Sequence, residues 1–246
     1  MKQRINQLPK IIQLLVLSGM LLAATTAAHG QNFIGVKGGV TSSQLFIDNI
    51  NVRLVNPEIN QGTKSGISFG LLFRSRPGKH VGFQAELNYV QKGWVENSPT
   101  SGTAITTDLT YIELPILTHL AIGRGKTKVV LEGGPYVGYL LSHQADALAA
   151  LEGTYVLDDS NAVNTAFGMT VGGGITRKIG DNELHLGGRF NIALSNVFDQ
   201  VSSDIPDYTQ SQTIEINLAF LFKVSKTTAV AAPKVPKKKQ GTEEGN

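Results

Sequence analysis

The sequence predicts an all-β fold, an eight-stranded antiparallel up-and-down barrel. Three observations predict it. Eight segments alternate between apolar and polar residues with the period of two that marks a strand with two different faces. Short turns and long polar segments alternate between these strands along the chain. The first 30 of the 246 residues have the pattern of a secretory signal, which sends the remaining residues out of the cytoplasm.

The composition excludes several other classes of protein. Charged residues make up 17% of the chain, against roughly 25% in soluble globular proteins. Cysteine is absent, which excludes both a disulfide-stapled fold and a thiolate metal site. Residues 31–222 hold 13 basic and 17 acidic residues, so the net charge of +3 comes from the two ends. A nucleic-acid-binding domain needs a basic face of its own, and we therefore predict no nucleic-acid partner.

Residues 1–30 are predicted to be a signal peptide. The apolar stretch 11–24 is preceded by three basic residues, Lys2, Arg4 and Lys10. The small residues Ala28 and Gly30 suit the pockets of a signal peptidase, so we place the cleavage between Gly30 and Gln31. The apolar stretch is short for an uncleaved helix that spans a membrane.

The strands with the clearest alternation are 66–74, 81–92, 183–195 and 213–222. In the first of them, Ile67, Phe69 and Leu71 share one face, and small or polar residues take the other. Four weaker segments complete the count: 33–42, 107–121, 128–141 and 165–179. Pro115 and Pro135 cannot donate to a strand ladder, so we expect a β-bulge at each of them.

The connections fall into two classes. Short turns are predicted at 75–80, 122–127 and 180–182, and long polar segments at 43–63, 94–106, 142–164 and 196–212. Short periplasmic turns and long extracellular loops are typical of outer-membrane barrels. Because the number of strands is even, we expect both chain termini on the short-turn side, in the periplasm.

The apolar face of the strands must meet either lipid or the barrel interior. Aromatic residues of this face gather near the strand ends: Phe73, Phe83 and Phe222 at one end, and Tyr89, Tyr139 and Phe167 at the other. Such girdles form at the two interfaces of a membrane. We therefore predict a transmembrane barrel in outer-membrane lipid. A secreted soluble β-barrel, with this face inward around an apolar ligand, is the alternative.

The opposite face carries charged residues that a membrane barrel would enclose in its lumen. They are Lys37, Arg74, Glu86, Glu113, Glu132, Arg189 and Glu215. Charges in a narrow, filled lumen must pair or change their protonation. We predict a structural charge network that holds the strands in register. The alternative function is a path for protons or ions.

Several segments resemble the landmarks of a known family. They are GVKGGVTSS (35–43), FQAELNYVQKGW (83–94), LTYIELPILTHL (109–120), LEGGPYVGYLLS (131–142), FGMTVGGGI (167–175) and GGRFNIALSNVF (187–198). In this order they are similar to the PorT-like porin family of Gram-negative outer-membrane proteins. The resemblance implies an eight-stranded outer-membrane barrel without assigned chemistry; the member that names the family acts in protein secretion. The tail after Phe222 departs from the family pattern, in which the last strand closes the chain.

The motifs that could indicate a catalytic or cofactor-binding site lack the surrounding residues or secondary structure that such sites need. Residues 125–127, Gly-Lys-Thr, lack the first glycine of a phosphate-binding loop and precede a strand instead of a helix. Ser142-His143 and Asp158-Asp159 lie in or beside the third long loop, where a surface hydrolase could place its site. That hydrolase remains an alternative, but neighbours in sequence do not by themselves form a nucleophile with its base. We predict no catalytic, cofactor-binding or metal-binding residues, and no enzyme.

These predictions divide the chain into three parts. Residues 1–30 form the signal peptide, 31–224 the outer-membrane barrel, and 225–246 a disordered basic tail in the periplasm. The predicted function is structural, adhesive, or connected with assembly or secretion. A protein partner in the periplasm or at the cell surface would bind through the tail or the long loops.

Overall fold

The computed structural model describes residues 31–48, 60–76, 78, 80–97, 104–145, 163–197 and 208–224. Within this part of the chain there are eight strands: β1 Gln31–Asp48, β2 Asn60–Arg76, β3 Val81–Asn97, β4 Ala104–Ile122, β5 Thr127–Ala145, β6 Thr165–Ile179, β7 Asn182–Ala193 and β8 Tyr208–Lys223. The predicted signal peptide, 1–30, and the predicted tail, 225–246, lie outside the described residues.

The strands form one closed barrel. Each pairs antiparallel with the next along the chain, and β8 pairs back with β1. Gly35 of β1 faces Leu72 of β2 on one side and Leu221 of β8 on the other. The fold class predicted from the alternation is therefore confirmed. Closure gives the backbone of every strand a partner on both sides, as a sheet in lipid requires.

The connections differ in length at the two ends of the barrel. Those at one end, the short-turn end, span only 77–80, 123–126 and 180–181. Gly125 (φ 88°) and Gly180 (φ 63°) lie in the left-handed region, which favours glycine, and they make these turns tight. The other end, the long-loop end, carries the connections 49–59, 98–103, 146–164 and 194–207.

The strands extend further toward the long-loop end than the sequence predicts. The segments 43–48, 60–63, 94–97, 104–106, 142–145 and 208–212 are predicted to lie in loops and are strand. The outward side chains of the strands near this end include the exposed Gln44, Ser65 and Gln144. Polar outward side chains interrupt the apolar half of the alternation there, although Phe46 is outward and 47% exposed, so the strand signal weakens while the backbone pairing continues.

The barrel is apolar outside and polar inside. Ile34, Val36, Leu71, Val171 and Ile216 are among the large apolar side chains that lie outward, about half exposed. Soluble proteins do not leave so much contiguous apolar surface in water. The soluble alternative, a barrel with its apolar face turned inward, is therefore wrong.

The two prolines do not shift the strand register. Pro115 pairs with Tyr136, and the β3–β4 register is the same on both sides of it. Pro135 pairs with Met169 in an unbroken β5–β6 register. The expected bulges at Pro115 and Pro135 are wrong: each proline loses a donor, but no residue is inserted. The register shifts lie elsewhere, between Thr63 and Ser68 and next to Thr110.

Among the described residues, no helix is both long and apolar enough to cross a membrane.

Candidate functional site: the barrel lumen

Apolar clusters lie toward both ends of the lumen. At the long-loop end, the long-loop plug consists of Leu45, Trp94, Leu109, Tyr111, Leu140 and Val197. At the short-turn end, the short-turn plug consists of Phe33, Leu72, Ala219 and Leu221. Trp94 and Leu221, one from each plug, are 2% and 0% exposed. Apolar side chains therefore line part of the lumen at each end, and polar side chains fill the rest of it.

Five charged side chains meet between the plugs, and we call them the central cluster: Lys37, Glu86, Glu132, Arg189 and Glu215. Arg189 forms a bidentate pair with Glu86, with both N–O distances 2.7 Å, and its Nη2 lies 3.0 Å from Glu132 Oε2. Lys37 Nζ lies 3.0 Å from Glu86 Oε2 and 2.9 Å from Glu215 Oε1. Five strands are thus connected across the lumen.

The central cluster has three carboxylates for two cations, and neutral donors supply the remaining hydrogen bonds. Asn88 Nδ2 donates to Glu86 Oε2 at 2.9 Å, and Ser68 Oγ donates to Glu215 Oε1 at 2.8 Å. Gln84 Nε2 donates to Glu86 and also to Glu132. Buried charges are tolerated when they are both paired and hydrogen-bonded, and this cluster meets both conditions except at Arg189 Nε and Glu132 Oε1, which have no hydrogen-bond partner among the described residues.

A second group of charges lies toward the short-turn end, and we call it the lower cluster: Arg74, Arg76 and Glu183. Arg76 pairs with Glu183, and Arg74 Nη1 lies 3.6 Å from Glu183 Oε2. Arg76 also stacks over the ring of Phe33, 4.7 Å from its centre. Gln84 accepts from Arg74 Nε and donates to Glu86, so it connects the lower and central clusters.

A third level, the upper pair, lies toward the long-loop end and consists of Lys92 and Glu113. The two side chains form a buried ion pair. Lys92 Nζ also lies 5.2 Å from the ring centre of Tyr136 and 5.7 Å from that of Tyr111. Because Tyr111 belongs to the long-loop plug, the upper pair connects that plug to the polar interior.

The structure distributes the seven predicted lumen charges over these three levels. Lys37, Glu86, Glu132, Arg189 and Glu215 come together in the central cluster. Arg74 belongs to the lower cluster and Glu113 to the upper pair. The ion-pair partner of Arg74 is Glu183, which is not among the seven predicted charges.

Three charged partners are not among the predicted lumen residues: Lys92, Arg76 and Glu183. Lys92 lies on the inward face of β3, so the alternation along that strand could have identified it as a lumen charge. Arg76 lies in a segment predicted to be a turn, and its inward parity appears only once β2 is extended to its observed end. Glu183 begins a strand with the same parity as Arg189, which is the signal that could have found it.

Some buried polar atoms have no hydrogen-bond partner among the described side chains. Neither ring nitrogen of His119, which is 0% exposed, has one, and neither do the two terminal nitrogens of Arg74. His185 Nε2 lies 3.3 Å from Glu132 Oε1. Groups of this kind are usually satisfied by internal water, and we expect water at this level of the lumen.

The geometry does not support the surface hydrolase. Ser142 is exposed, whereas the neighbouring His143 is half-buried, and the two side chains lie on opposite sides of β5. They therefore cannot act as a nucleophile with its base. Asp158 and Asp159 lie outside the described residues. In the described segments no three His, Asp or Glu side chains are arranged to hold a metal ion.

The chain is similar to known outer-membrane proteins. A family model described as "Outer membrane protein beta-barrel domain" matches residues 29–199. No curated protein sequence matches the chain. Similar solved structures include the outer membrane protein OprG from Pseudomonas aeruginosa, which is 10% identical, with 81% of this chain and 99% of OprG covered and a TM-score of 0.48. Neisserial surface protein A is 13% identical, with coverage of 78% and 97% and a TM-score of 0.45. Ail, the attachment invasion locus protein of Yersinia pestis, is 11% identical, with coverage of 78% and 99% and a TM-score of 0.39.

Proposed function

Because this chain belongs to the family of proteins with an outer membrane protein beta-barrel domain, we propose that it is a sealed membrane anchor, not a pore or an enzyme. The observation that carries this proposal is the central cluster, whose side chains meet across the lumen from opposite walls. Arg189 of β7 reaches Glu86 of β3 with two bonds of 2.7 Å.

An ion would have to break this arrangement to pass. An eight-stranded barrel is only just wide enough to hold its own side chains. The bidentate Arg189–Glu86 pair and the Lys37 bonds would have to open together, and each would leave a buried charge without its partner. The long-loop plug adds an apolar barrier at one end, and the short-turn plug adds apolar packing beside the lower cluster at the other. The seven predicted lumen charges therefore serve, in this proposal, as a structural network.

The proposal is tested by conductance. The purified full-length chain should give no stable conductance steps in planar lipid bilayers, while a general porin reconstituted in the same way gives large ones. Long-lived, uniform steps from this chain would overturn the sealed lumen. Transient, irregular currents at high protein concentration would also appear with a heat-unfolded sample, which serves as the control for bilayer defects.

We further propose that the long-loop end lies outside the cell and that the termini lie in the periplasm. The polar outward side chains at the tops of the strands, such as Gln44 and Gln144, support a wall that projects beyond the membrane at that end. Short turns at the other end agree with the usual periplasmic side. In this arrangement the signal peptide 1–30 is cleaved before Gln31, and the tail 225–246 is periplasmic.

Orientation is measured by protease treatment of intact cells. Cleavage should occur in the loops of the long-loop end, and an epitope attached after Asn246 should remain protected until the outer membrane is broken. Digestion of the epitope in intact cells would show the opposite orientation. N-terminal sequencing of the mature protein would test the cleavage before Gln31.

Membership in the PorT-like group, with a role in assembly or secretion, is the finer proposal. The six segments that resemble that family support it. Partner binding would then occur through the long loops or the tail, because the outer wall faces lipid and the lumen is filled. Crosslinking in intact cells from probes placed in a loop and in the tail would distinguish a surface partner from a periplasmic one.

A further inference from the structure

Four exposed cations gather at the short-turn end of the barrel, and we call them the basic collar. They are Arg124 and Lys126 in the turn between β4 and β5, and Arg177 and Lys178 at the end of β6. Arg177 pairs with Thr127, and the backbone N–H of Lys178 donates to the carbonyl oxygen of Lys126 at 2.8 Å. The two halves of the collar are therefore adjacent on neighbouring strands.

No carboxylate of the described residues neutralises the basic collar. The ion pairs found in the described segments do not include any of the four cations. The nearest acid in sequence, Asp181, places its Oδ1 3.6 Å from Lys223 Nζ, and Glu183, the β7 neighbour of Lys178 across the sheet, pairs with Arg76 in the lower cluster. Like charges held side by side repel one another, and an external anion would relieve that repulsion.

The basic collar borders directly on the apolar outer wall. Ile122, Val129 and Ile175 lie outward, each at least 50% exposed, and Val129 pairs with both of the other two. Lys126 is three residues from Val129 and Arg177 is two from Ile175, which is about 7–10 Å along a strand. That places Lys126 and Arg177 at the depth of lipid headgroups when the apolar wall lies in the hydrocarbon, while the exposed Lys178 has the inward parity of Thr176.

The opposite end of the described wall carries no such excess of cations. There Lys64 Nζ lies 2.9 Å from Asp108 Oδ1, and the pair is neutral in sum. The described surface is therefore asymmetric, with its unpaired positive charge at the short-turn end, beside lipid.

We propose that the basic collar binds the phosphate groups of anionic glycerophospholipids in the leaflet at the short-turn end. The acyl chains of such a lipid would lie against Ile122, Val129 and Ile175. The guanidinium groups of Arg124 and Arg177 can hold phosphate oxygens bidentately, and the lysines add point charges. The inference depends on the proposed membrane insertion and is independent of the sealed lumen.

The test compares the mobility of spin-labelled lipids around the full-length chain in vesicles of phosphatidylcholine. The wild type should immobilise spin-labelled phosphatidylglycerol at least about threefold more strongly than spin-labelled phosphatidylcholine, and about 1 M salt should reduce this preference. The variant Lys126→Gln/Arg177→Gln/Lys178→Gln should lose most of it. The matched control Lys126→Arg/Arg177→Lys/Lys178→Arg keeps the charge and should keep the preference.

Three outcomes would overturn the proposal. They are a wild type without preference, a neutralised variant that keeps it, and a charge-conserving variant that loses it. The Lys-rich tail is the same in all samples, so a difference between the variants reports the collar alone. Millimolar inorganic phosphate should not reduce the preference, because the proposed ligand is a lipid; competition by free phosphate would overturn the lipid as the source.

Folding is measured separately for each variant, by the heat-modifiable band on gels. If the triple variant does not fold, the single variant Arg177→Gln gives the same comparison with a smaller expected loss. A chain that folds but immobilises no lipid of either kind would contradict membrane insertion, which is the proposed function. A chain that inserts but shows no preference would contradict only the collar.

Discussion

At the scale of single residues, the lumen is held together by pairs whose partners come from distant strands. Arg189 and Glu86 are 103 positions apart in the chain, and their bidentate pair is 0–3% exposed. Removing one member of such a pair leaves the other charge buried without compensation. The surface pair of Lys64 and Asp108 provides the natural comparison, because its side chains are 29% and 51% exposed.

Arg189→Leu should therefore destabilise the barrel by about 3–5 kcal/mol, whereas Lys64→Gln should change it by less than about 1 kcal/mol. Adding Glu86→Gln to Arg189→Leu should restore part of the loss, because Lys37 still has Glu215 as a partner. The measurement is the temperature at which the folded band disappears on gels. If Arg189→Leu melts together with the wild type, the pair does not hold the barrel.

Two glycines on neighbouring strands offer a matched comparison. A Cβ at Gly172, which faces the lumen, would lie 2.6 Å from the carbonyl oxygen of Gly188 and 2.8 Å from Cγ of Arg189. A Cβ at Gly188, which faces lipid, would meet nothing closer than 3.9 Å. Glycine at 172 thus makes room for the arginine of the central cluster.

We expect Gly172→Ala to destabilise the barrel by about 1–3 kcal/mol, since crowding forces Arg189 or the backbone to move. Gly188→Ala should be neutral or should stabilise slightly, by up to about 1 kcal/mol, through the lower entropy of the unfolded chain. Unfolding in urea with the protein in lipid vesicles measures both. Equal effects of the two changes would show that the lumen is not tightly packed at Gly172.

At the scale of the strands, alternation identified the fold but not the full length of each strand. The outward row Ile67, Phe69 and Leu71 of β2 gave a clear signal because it faces lipid. The outward Ser65 gave none, although β2 continues beyond it to Asn60. Apolar and polar residues alternate along a strand where one face of the sheet meets lipid and the other meets a polar interior. Where both faces of the wall meet polar surroundings, the backbone pairing continues, but the residues no longer alternate between apolar and polar.

The outward row of β2 also predicts how the stability cost of an introduced charge depends on its position along the strand. Leu71→Arg places a cation in the middle of the apolar wall and should cost about 2–4 kcal/mol of stability, while Ser65→Arg should cost about 0–1 kcal/mol. Both positions are outward and exposed, so only depth differs between them. Equilibrium unfolding in lipid vesicles gives the two values. Similar costs at both positions would place Ser65 within the hydrocarbon as well.

Parity along a strand also limits what the sequence reveals about the lumen. It assigns Glu86, Arg189 and Lys37 to the inner face, because each inward position follows from its neighbours. It does not assign partners, since these depend on how far each strand is staggered around the closed barrel. Arg74 and Glu183 illustrate this: they meet across the lumen only because β2 and β7 end at the same level. Sequence reasoning therefore yields a set of inward charges without their pairing.

At the scale of the whole molecule, the barrel has two unlike ends connected by a filled interior. At the long-loop end, the strands continue beyond the apolar wall and carry polar outward side chains. The short-turn end carries the four cations of the basic collar. Between them, the three charged levels and the two plugs fill the lumen. In the function proposed above, partners bind through the long loops or the tail.

The tail 225–246 is expected to be dispensable for the fold. The β1–β8 ladder is complete at Lys223, and the backbone N–H of Val224 donates to the carbonyl oxygen of Asn32 at 2.8 Å. Deletion of 225–246 removes none of these pairs, so the truncated chain should fold, insert and melt as the full chain does. Heat-modifiable mobility and membrane fractionation measure these properties.

A partner bound through the tail would show a different dependence. The tail carries five lysines and two glutamates, and attraction to an anionic periplasmic surface or protein should weaken between low and physiological salt, where the screening length shortens to about 8 Å. Crosslinks from the tail in isolated envelopes should therefore decline as salt is raised, while crosslinks from the long loops stay constant. Failure of the truncated chain to assemble would instead make the tail a part of the fold, because β8 closes the barrel and would then need residues beyond Val224 to stay paired with β1.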